Sequence, residues 1–441
     1  MKTINLYSDF NNGSDTIKLG SLPVVPRFQK INDFLYEATY NTIDYDYANE
    51  YFKENTIPVG RCSSVRNGNW YGRNLDYTYD NGVGVIIHTP KRAALGDIPA
   101  AFASVGVGYT NRFTRDIVES GTYNEMYRIL PFIMADGINE NGVFINENVV
   151  PRGDKGLTGR TKETGTNPDA SISINALTLN RYVLDNFESA DDVYQFVDDI
   201  NVFMPTSLGD DYELHFMIGD ENKTYILEFI NNAANIIEYT ASDKPIMVNF
   251  YNTGVTLNTN ESFALYSPYT TDDNHSAYNN GITPMGCGME RFNHIYTNYA
   301  SMNTLAGMSD VLKGVWYSKC YDPNIHSTDK EHFFYGEFVG LGQTPLKAGD
   351  SYTVYDNMKT SDGSGNLLER LFENFATKTR ENGNGTWITV HMSIYDIENR
   401  TLHMINQEYN QDLYTFSLQE TNSELIQNLI TRIEALEAKV N

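Results

Sequence analysis

The amino-acid sequence predicts an α+β protein in which helices cover antiparallel sheets, and three observations carry that expectation. After residue 61, short runs of alternating apolar and polar residues follow one another, several joined at hairpin distance by turn residues. Between them lie helix-length stretches whose apolar residues recur at helical spacing. The two kinds of segment come in blocks instead of strict strand–helix–strand alternation, which is the pattern of sheets with helices laid on them. With 441 residues, 41% hydrophobic and 13% aromatic including 31 Tyr, the chain has the composition of a folded protein with a large core.

Taken in order, residues 1–61 place polar, strand-like ends around a Tyr-rich piece, FLYEATYNTIDYDYANEYFKENT, whose pattern allows a helix. The segment ends at IPVGRC, where Pro58 and Gly60 keep the chain extended just before Cys62. Strands are expected at WYGRNLDY, GVGVIIHT, GVFINENVV, LHFMIGD joined through ENKT to YILEFI, IIEYT, IMVNFY, TWITVHMSIYD and TLHMINQ. Hairpin turns fall at Asp220 to Lys223 and at Asp396 to Arg400. Helices are expected in SISINALTLNRYVLDN, SADDVYQFVDDI and GNLLERLFENFATKTR.

The last 23 residues, 419–441, form a separate tail. Its apolar residues step as Ile426, Leu429, Ile433, Leu436 and Val440, which puts Ile or Val at a and Leu at d of a heptad. The a and d choices favour a dimer, whereas the run from Arg432 to Glu437 matches a trimer-favouring pattern. So short a helix needs a partner. Either it joins copies of the chain into a homo-oligomer, or it docks on its own domain.

Charge excludes several partners. The 57 acidic against 32 basic residues leave a formal charge of -25, the opposite of a surface that tracks phosphates or anionic lipid. No run of about 18 apolar residues occurs, so no membrane span is expected. The start, MKTINLYSDFNNGSD, lacks the basic-then-apolar order of a secretory signal, which leads us to expect a cytoplasmic protein. Three cysteines, Cys62, Cys287 and Cys320, are too few for a disulfide framework and show no CxxC spacing. The eight His are scattered without metal-ligand spacing, so neither a metal nor another cofactor is expected.

The stretch RCSSVRNGNWYGRNLDY, Arg61 to Tyr77, carries the chemistry. Cleaving an amide requires a nucleophile, a base and donors where negative charge grows on the carbonyl oxygen. A cut between Arg61 and Cys62 would leave an α-amine, of ordinary pKa about 7.7–8.0, on the residue that bears the thiol, so one residue would supply nucleophile and base. The turn at Asn67 to Asn69 returns the chain, bringing Arg73 and Asp76 beside Cys62. There Arg73 would favour the thiolate and Asp76 would hold the amine. An ordinary hairpin with a surface ion pair has the same pattern.

CSSVRNGNWYGRNLDY resembles the start of the choloylglycine hydrolase family, the linear amide C–N hydrolases, which includes bile salt hydrolases and penicillin V acylases. Its G-R-N-x-D-[WY] strand is matched by Gly72, Arg73, Asn74, Asp76 and Tyr77. DGINENGVFI, Asp136 to Ile145, resembles the family's G-x-N-E-x-G strand entry, and MVNFYNT resembles its T-N-[NS]-P segment at Asn249. Glu290 to Phe292 resembles the S-R-F segment, with Arg291 as its arginine, and WITVHMSIYDIENRTLHMINQ resembles the closing strands.

The resemblance, from Cys62 to about Ser417, implies the four-layer αββα sandwich of N-terminal nucleophile hydrolases. It implies residues 1–61 as a leader or propeptide, residues 62–418 as the hydrolase domain and residues 419–441 as an appended helix. It further implies Cys62 as nucleophile, Asp76 as holder of its amine, Arg73 as stabiliser of the thiolate, Asn249 as oxyanion donor and Arg291 as buttress. The second oxyanion position falls on Asn148 or Val149. The family's Pro after the oxyanion Asn is replaced by Phe250. The substrate implied is a small-molecule amide with an apolar acyl group. An uncleaved relative serving as a structural or binding subunit of an oligomer is the alternative.

Overall fold

The computed structural model of the chain describes residues 28–40, 43–55, 61–78, 82–91, 94–95, 102–120, 126–151, 161–204, 212–230, 232–253, 286–287, 289–315, 317–320, 332–335, 387–406 and 412–418. Among them, two large sheets dominate. One has nine strands, in the spatial order Phe28–Asn32, Leu35–Thr39, Gly82–Thr89, Ser104–Thr114, Met134–Asn139, Phe144–Pro151, Tyr212–Gly219, Thr224–Ile230 and Ala233–Tyr239. The other has six, in the order Ile246–Met247, Arg61–Asn67, Trp70–Thr78, Trp387–Asp396, Thr401–Asn406 and Tyr414–Ser417. Their neighbours pair antiparallel, except Leu35–Thr39, which runs parallel to Gly82–Thr89.

Successive residues of a strand face opposite sides, so one sheet feeds two cores. Ile86, Val107, Ile138 and Phe144 of the nine-stranded sheet meet Tyr71, Tyr395, Leu402 and Met404 of the six-stranded one. Tyr71 stacks on Phe144 at 4.3 Å and on Tyr395 at 5.4 Å between ring centroids. On its outer face the nine-stranded sheet buries Val85, Ile87, Ile145, Leu214 and Leu227 under helices Tyr45–Glu54, Leu179–Asn186 and Ala190–Phe196. The outer face of the six-stranded sheet buries Val65, Met392 and Ile394 under helices Met289–Asn298 and Leu305–Lys313. The layers run helix, sheet, sheet, helix: the expected αββα sandwich.

Most expected strands form. Two expected helices divide: SISIN is the strand Ile172–Asn175, followed by the helix Leu179–Asn186, and FLYEAT supplies the strand Leu35–Thr39 before the helix Tyr45–Glu54. In each case apolar residues at mixed spacing straddle a short strand and a short helix, which one periodicity does not describe. The helix Tyr45–Glu54 starts where the Asp44 side chain accepts the Tyr47 N–H at 3.0 Å. Residues 28–55 are therefore built into the sandwich, with Phe52 and Ala48 fully buried and Tyr45 donating to Asp185 at 2.7 Å. GNLLERLFENFATKTR and the heptad tail from Ile426 lie outside the described residues. No helix among the described residues is long and apolar enough to cross a membrane.

Candidate active site

The hairpin that opens the six-stranded sheet turns at Gly68, whose φ of +59° is a conformation that glycine adopts without strain. Pairing in register sets Cys62 opposite Leu75 and Ser64 opposite Arg73. Each residue of the following motif has a separate task. Gly72 lets the helix Leu305–Lys313 approach; a Cβ there would lie 2.7 Å from Leu312 Cδ1. Asn74 donates to the Leu312 carbonyl at 2.8 Å and so fastens that helix end to the strand. Tyr77 packs edge-on against Tyr109, in one apolar cluster with Cys62, Leu75 and Val390.

Alternation then sends the Cys62 thiol into the space between the sheets. Cys62 is 2% exposed, and Arg73 Nη2 lies 3.1 Å from its Sγ. The same guanidinium donates to the Glu147 carbonyl at 2.7 Å, and its Nη1 pairs with Asp136 Oδ2 at 3.1 Å. Tyr395 donates to the other oxygen of Asp136, while His391 Nε2 stands 3.9 Å off, beyond hydrogen-bond reach. Burial pushes the Cys62 thiol up; Arg73 pulls it back down, and the Asp76 charge adds to the rise. Burial opposes ionisation of Asp136 as well, but His391, Arg73 and Tyr395 together hold it below the ordinary carboxylate value. Burial pushes partly exposed Glu147 up to about 8, with Arg73 acting against the rise and Asp136 with it.

The main chain of Cys62 is gripped from the other face of the strand. Ile246 pairs with Val65 and Met247 with Ser64, and two further steps along both strands bring Asn249 to Cys62. The Cys62 N–H donates to Asn249 Oδ1 at 3.0 Å, and Arg291 donates to that same oxygen at 2.5 Å. Two donors on one atom identify it as the oxygen and turn the amide nitrogen to the Val149 carbonyl, 2.6 Å away. Arg291, fully buried, also donates to the Cys62 carbonyl at 2.7 Å, the Ser63 hydroxyl at 3.0 Å and Asp76 Oδ2 at 3.1 Å. Thr389 donates to Asp76 Oδ1 at 2.5 Å. A bulge at Val390 makes this arrangement work, since Thr389 pairs with Asp76 and His391 with the very next residue, Leu75.

Five of the six residues singled out from the sequence, Cys62, Arg73, Asp76, Asn249 and Arg291, thus converge. Asn148 has a different environment: its amide nitrogen donates to the Met247 and Val248 carbonyls at 3.1 and 3.4 Å, and its oxygen accepts from Ser64 and Asn146. It braces the segment that carries Asn249. Sequence reasoning passed over Asp136, although it opens the DGINE run, and Thr389; each ionic or hydrogen-bonded partner is 63 or more residues away.

A sandwich with a thiol near the head of an inner strand, and its main chain held separately, has the architecture of N-terminal nucleophile hydrolases. The chain belongs to the family described as linear amide C–N hydrolases, choloylglycine hydrolase family, whose model matches residues 62–283, half of the sequence. It is accordingly a hydrolase acting on linear amide C–N bonds. Similar solved structures include a mutant of the conjugated bile acid hydrolase from Clostridium perfringens, 13% identical over 82% of this chain and 93% of that one, with a TM-score of 0.45. Another is penicillin V acylase from Agrobacterium tumefaciens, 10% identical over 81% and 86%, with a TM-score of 0.41. No curated protein sequence matches significantly.

Proposed function

We propose that this chain is a self-processing cysteine amidohydrolase that cleaves a linear, non-peptide amide through a thioester on Cys62. The observation that carries the reading is the double hold on one residue: Arg73 on the thiol at 3.1 Å, and Asn249 on the backbone nitrogen at 3.0 Å. A nitrogen inside a strand ordinarily bonds to the neighbouring strand. Here it meets a buried side chain distant in sequence, as suits a nitrogen destined to become an amine. The family match also begins at Cys62.

In the processing step the Cys62 sulfur attacks the Arg61 carbonyl carbon. A C–S bond replaces the C–N bond, and the thiol proton ends on the departing nitrogen, which becomes the α-amine. Water then hydrolyses the thioester, freeing the Arg61 carboxylate and the thiol. In turnover the amine takes the thiol proton, the sulfur attacks the substrate carbonyl, and the proton passes to the leaving amine before water releases the acyl group. The second N–H of the Asn249 amide is the donor for the developing oxyanion. Arg73 favours the thiolate, while Asp76, held by Arg291 and Thr389, orients the amine. The Leu75, Tyr77, Tyr109 and Val390 side chains clustered with Cys62 suit an apolar acyl group; conjugated bile acids, phenoxyacetyl penicillin and N-acyl lipids are the candidate substrates.

Intact mass and a substrate panel test the reading together. Wild-type protein is expected to lose its first 61 residues as a separate chain and to hydrolyse at least one of those amides, whereas Cys62→Ala stays full length and inactive. An uncut wild-type chain inert toward the whole panel would favour a structural or binding subunit, held in an oligomer by residues 419–441.

A further inference from the structure

Asn249 sits in a stretch with little ladder of its own. Ile246–Met247 pairs with Val65 and Ser64, and Asn249–Phe250 pairs with Cys287 and Gly286. Between and beyond these short pairings, side chains of the nine-stranded sheet take up the peptide groups. His215 Nε2 lies 2.7 Å from the Val248 carbonyl, which only accepts, so that nitrogen carries its hydrogen. Glu228 Oε1 accepts the Asn252 N–H at 2.5 Å, and Oε2 accepts the Thr253 N–H at 2.9 Å together with the Thr253 hydroxyl. His215 Nδ1 faces Glu228 Oε1 at 3.4 Å, and both side chains are fully buried.

An ionisable pair inside a sandwich carries a large desolvation cost, and apolar residues of similar size would fill the same space. The pair grips the residue just before Asn249 and the two that follow Tyr251. From these contacts we infer that His215 and Glu228 are positioning residues for Asn249, clamping the main chain on both sides of it so that its amide meets the reacting carbonyl. The inference rests on the reading of Asn249 as oxyanion donor given above. It gives the inner face of Tyr212–Gly219 and Thr224–Ile230 a part in the reaction, although those strands lie in the sheet opposite Cys62.

Processed protein assayed with phenylacetyl and long-chain acyl p-nitroanilides decides the matter. Asn249→Ala is expected to lower kcat about 100- to 1000-fold, the cost of an oxyanion donor. Glu228→Gln should lower kcat about 10- to 100-fold, as misplacement does, with KM and the alkylation rate of Cys62 by iodoacetamide little changed. His215→Gln, which keeps a donor for Val248, should retain more activity than His215→Leu. In the Asn249→Ala background, Glu228→Gln should cost nothing further, because a clamp with nothing to position has no effect. Should Glu228→Gln fail to fold, His215→Leu combined with Asn249→Ala makes the same comparison. Wild-type kcat in Glu228→Gln and His215→Leu beside an impaired Asn249→Ala overturns this inference alone, as does a loss that multiplies in full with that of Asn249→Ala. Wild-type kcat in Asn249→Ala overturns the reading of Asn249, and the clamp with it.

Discussion

Around Cys62, two buried arginines divide the work. Arg73 serves the sulfur and is braced by Asp136; Arg291 serves the main chain and is braced by Asp76. Arg73 stays protonated because Cys62 and Asp136 outweigh the burial that opposes its charge. Burial raises the carboxyl of Glu147 into the neutral range. Its folded carboxyl keeps a proton up to about 8, against an ordinary 4.5, so the folded state binds the extra proton between those values and loses stability as pH rises through them. Thermal melts should therefore fall from about pH 5 to about pH 8 more steeply in wild type than in Glu147→Gln. Equal slopes would deny Glu147 this role. For Asn249→Ala, steady-state kinetics should show the kcat loss given above while the chain remains folded by circular dichroism.

Among the elements, the hairpin and its motif were legible because the strand pairing is local and the motif is one contiguous run: Gly72, Arg73, Asn74, Asp76 and Tyr77 follow one another along a single strand. The strand Ser104–Thr114 was not, since Gly106 and Gly108 weaken its β signal. Those glycines answer a demand from the neighbouring strand. A Cβ on Gly106 would lie 2.3 Å from the Asp136 carbonyl oxygen and 2.9 Å from Gly137 Cα, both main-chain atoms. Gly106→Ala is accordingly expected to destabilise the protein by about 1–3 kcal/mol and to disturb Asp136. Gly84→Ala, whose nearest neighbour is 3.5 Å away, should leave the melting temperature near wild type. Comparable melting temperatures for the two would contradict this account. His215 and Glu228 were likewise unreadable from spacing, because only the pairing of two sheets brings them to residues 248–253.

For the molecule as a whole, the layered architecture followed from block-wise patterning, whereas the place of residues 28–55 did not. That segment contains a strand too short and a helix too polar to announce a core role, yet Leu35–Thr39 pairs along Gly82–Thr89 and Phe52 is fully buried. Folding must therefore come before the scission proposed above. A polypeptide synthesised from Cys62 onward would leave Gly82–Thr89 as a bare β edge, open to pairing with other molecules. Such a truncated chain should aggregate on expression, and supplying residues 1–61 as a separate peptide should restore soluble protein; an active, monodisperse product without that peptide would refute this. If the bond is cut as proposed, the maturation is one-way: after denaturation two strangers have to find each other, where a single thread once only had to fold back on itself.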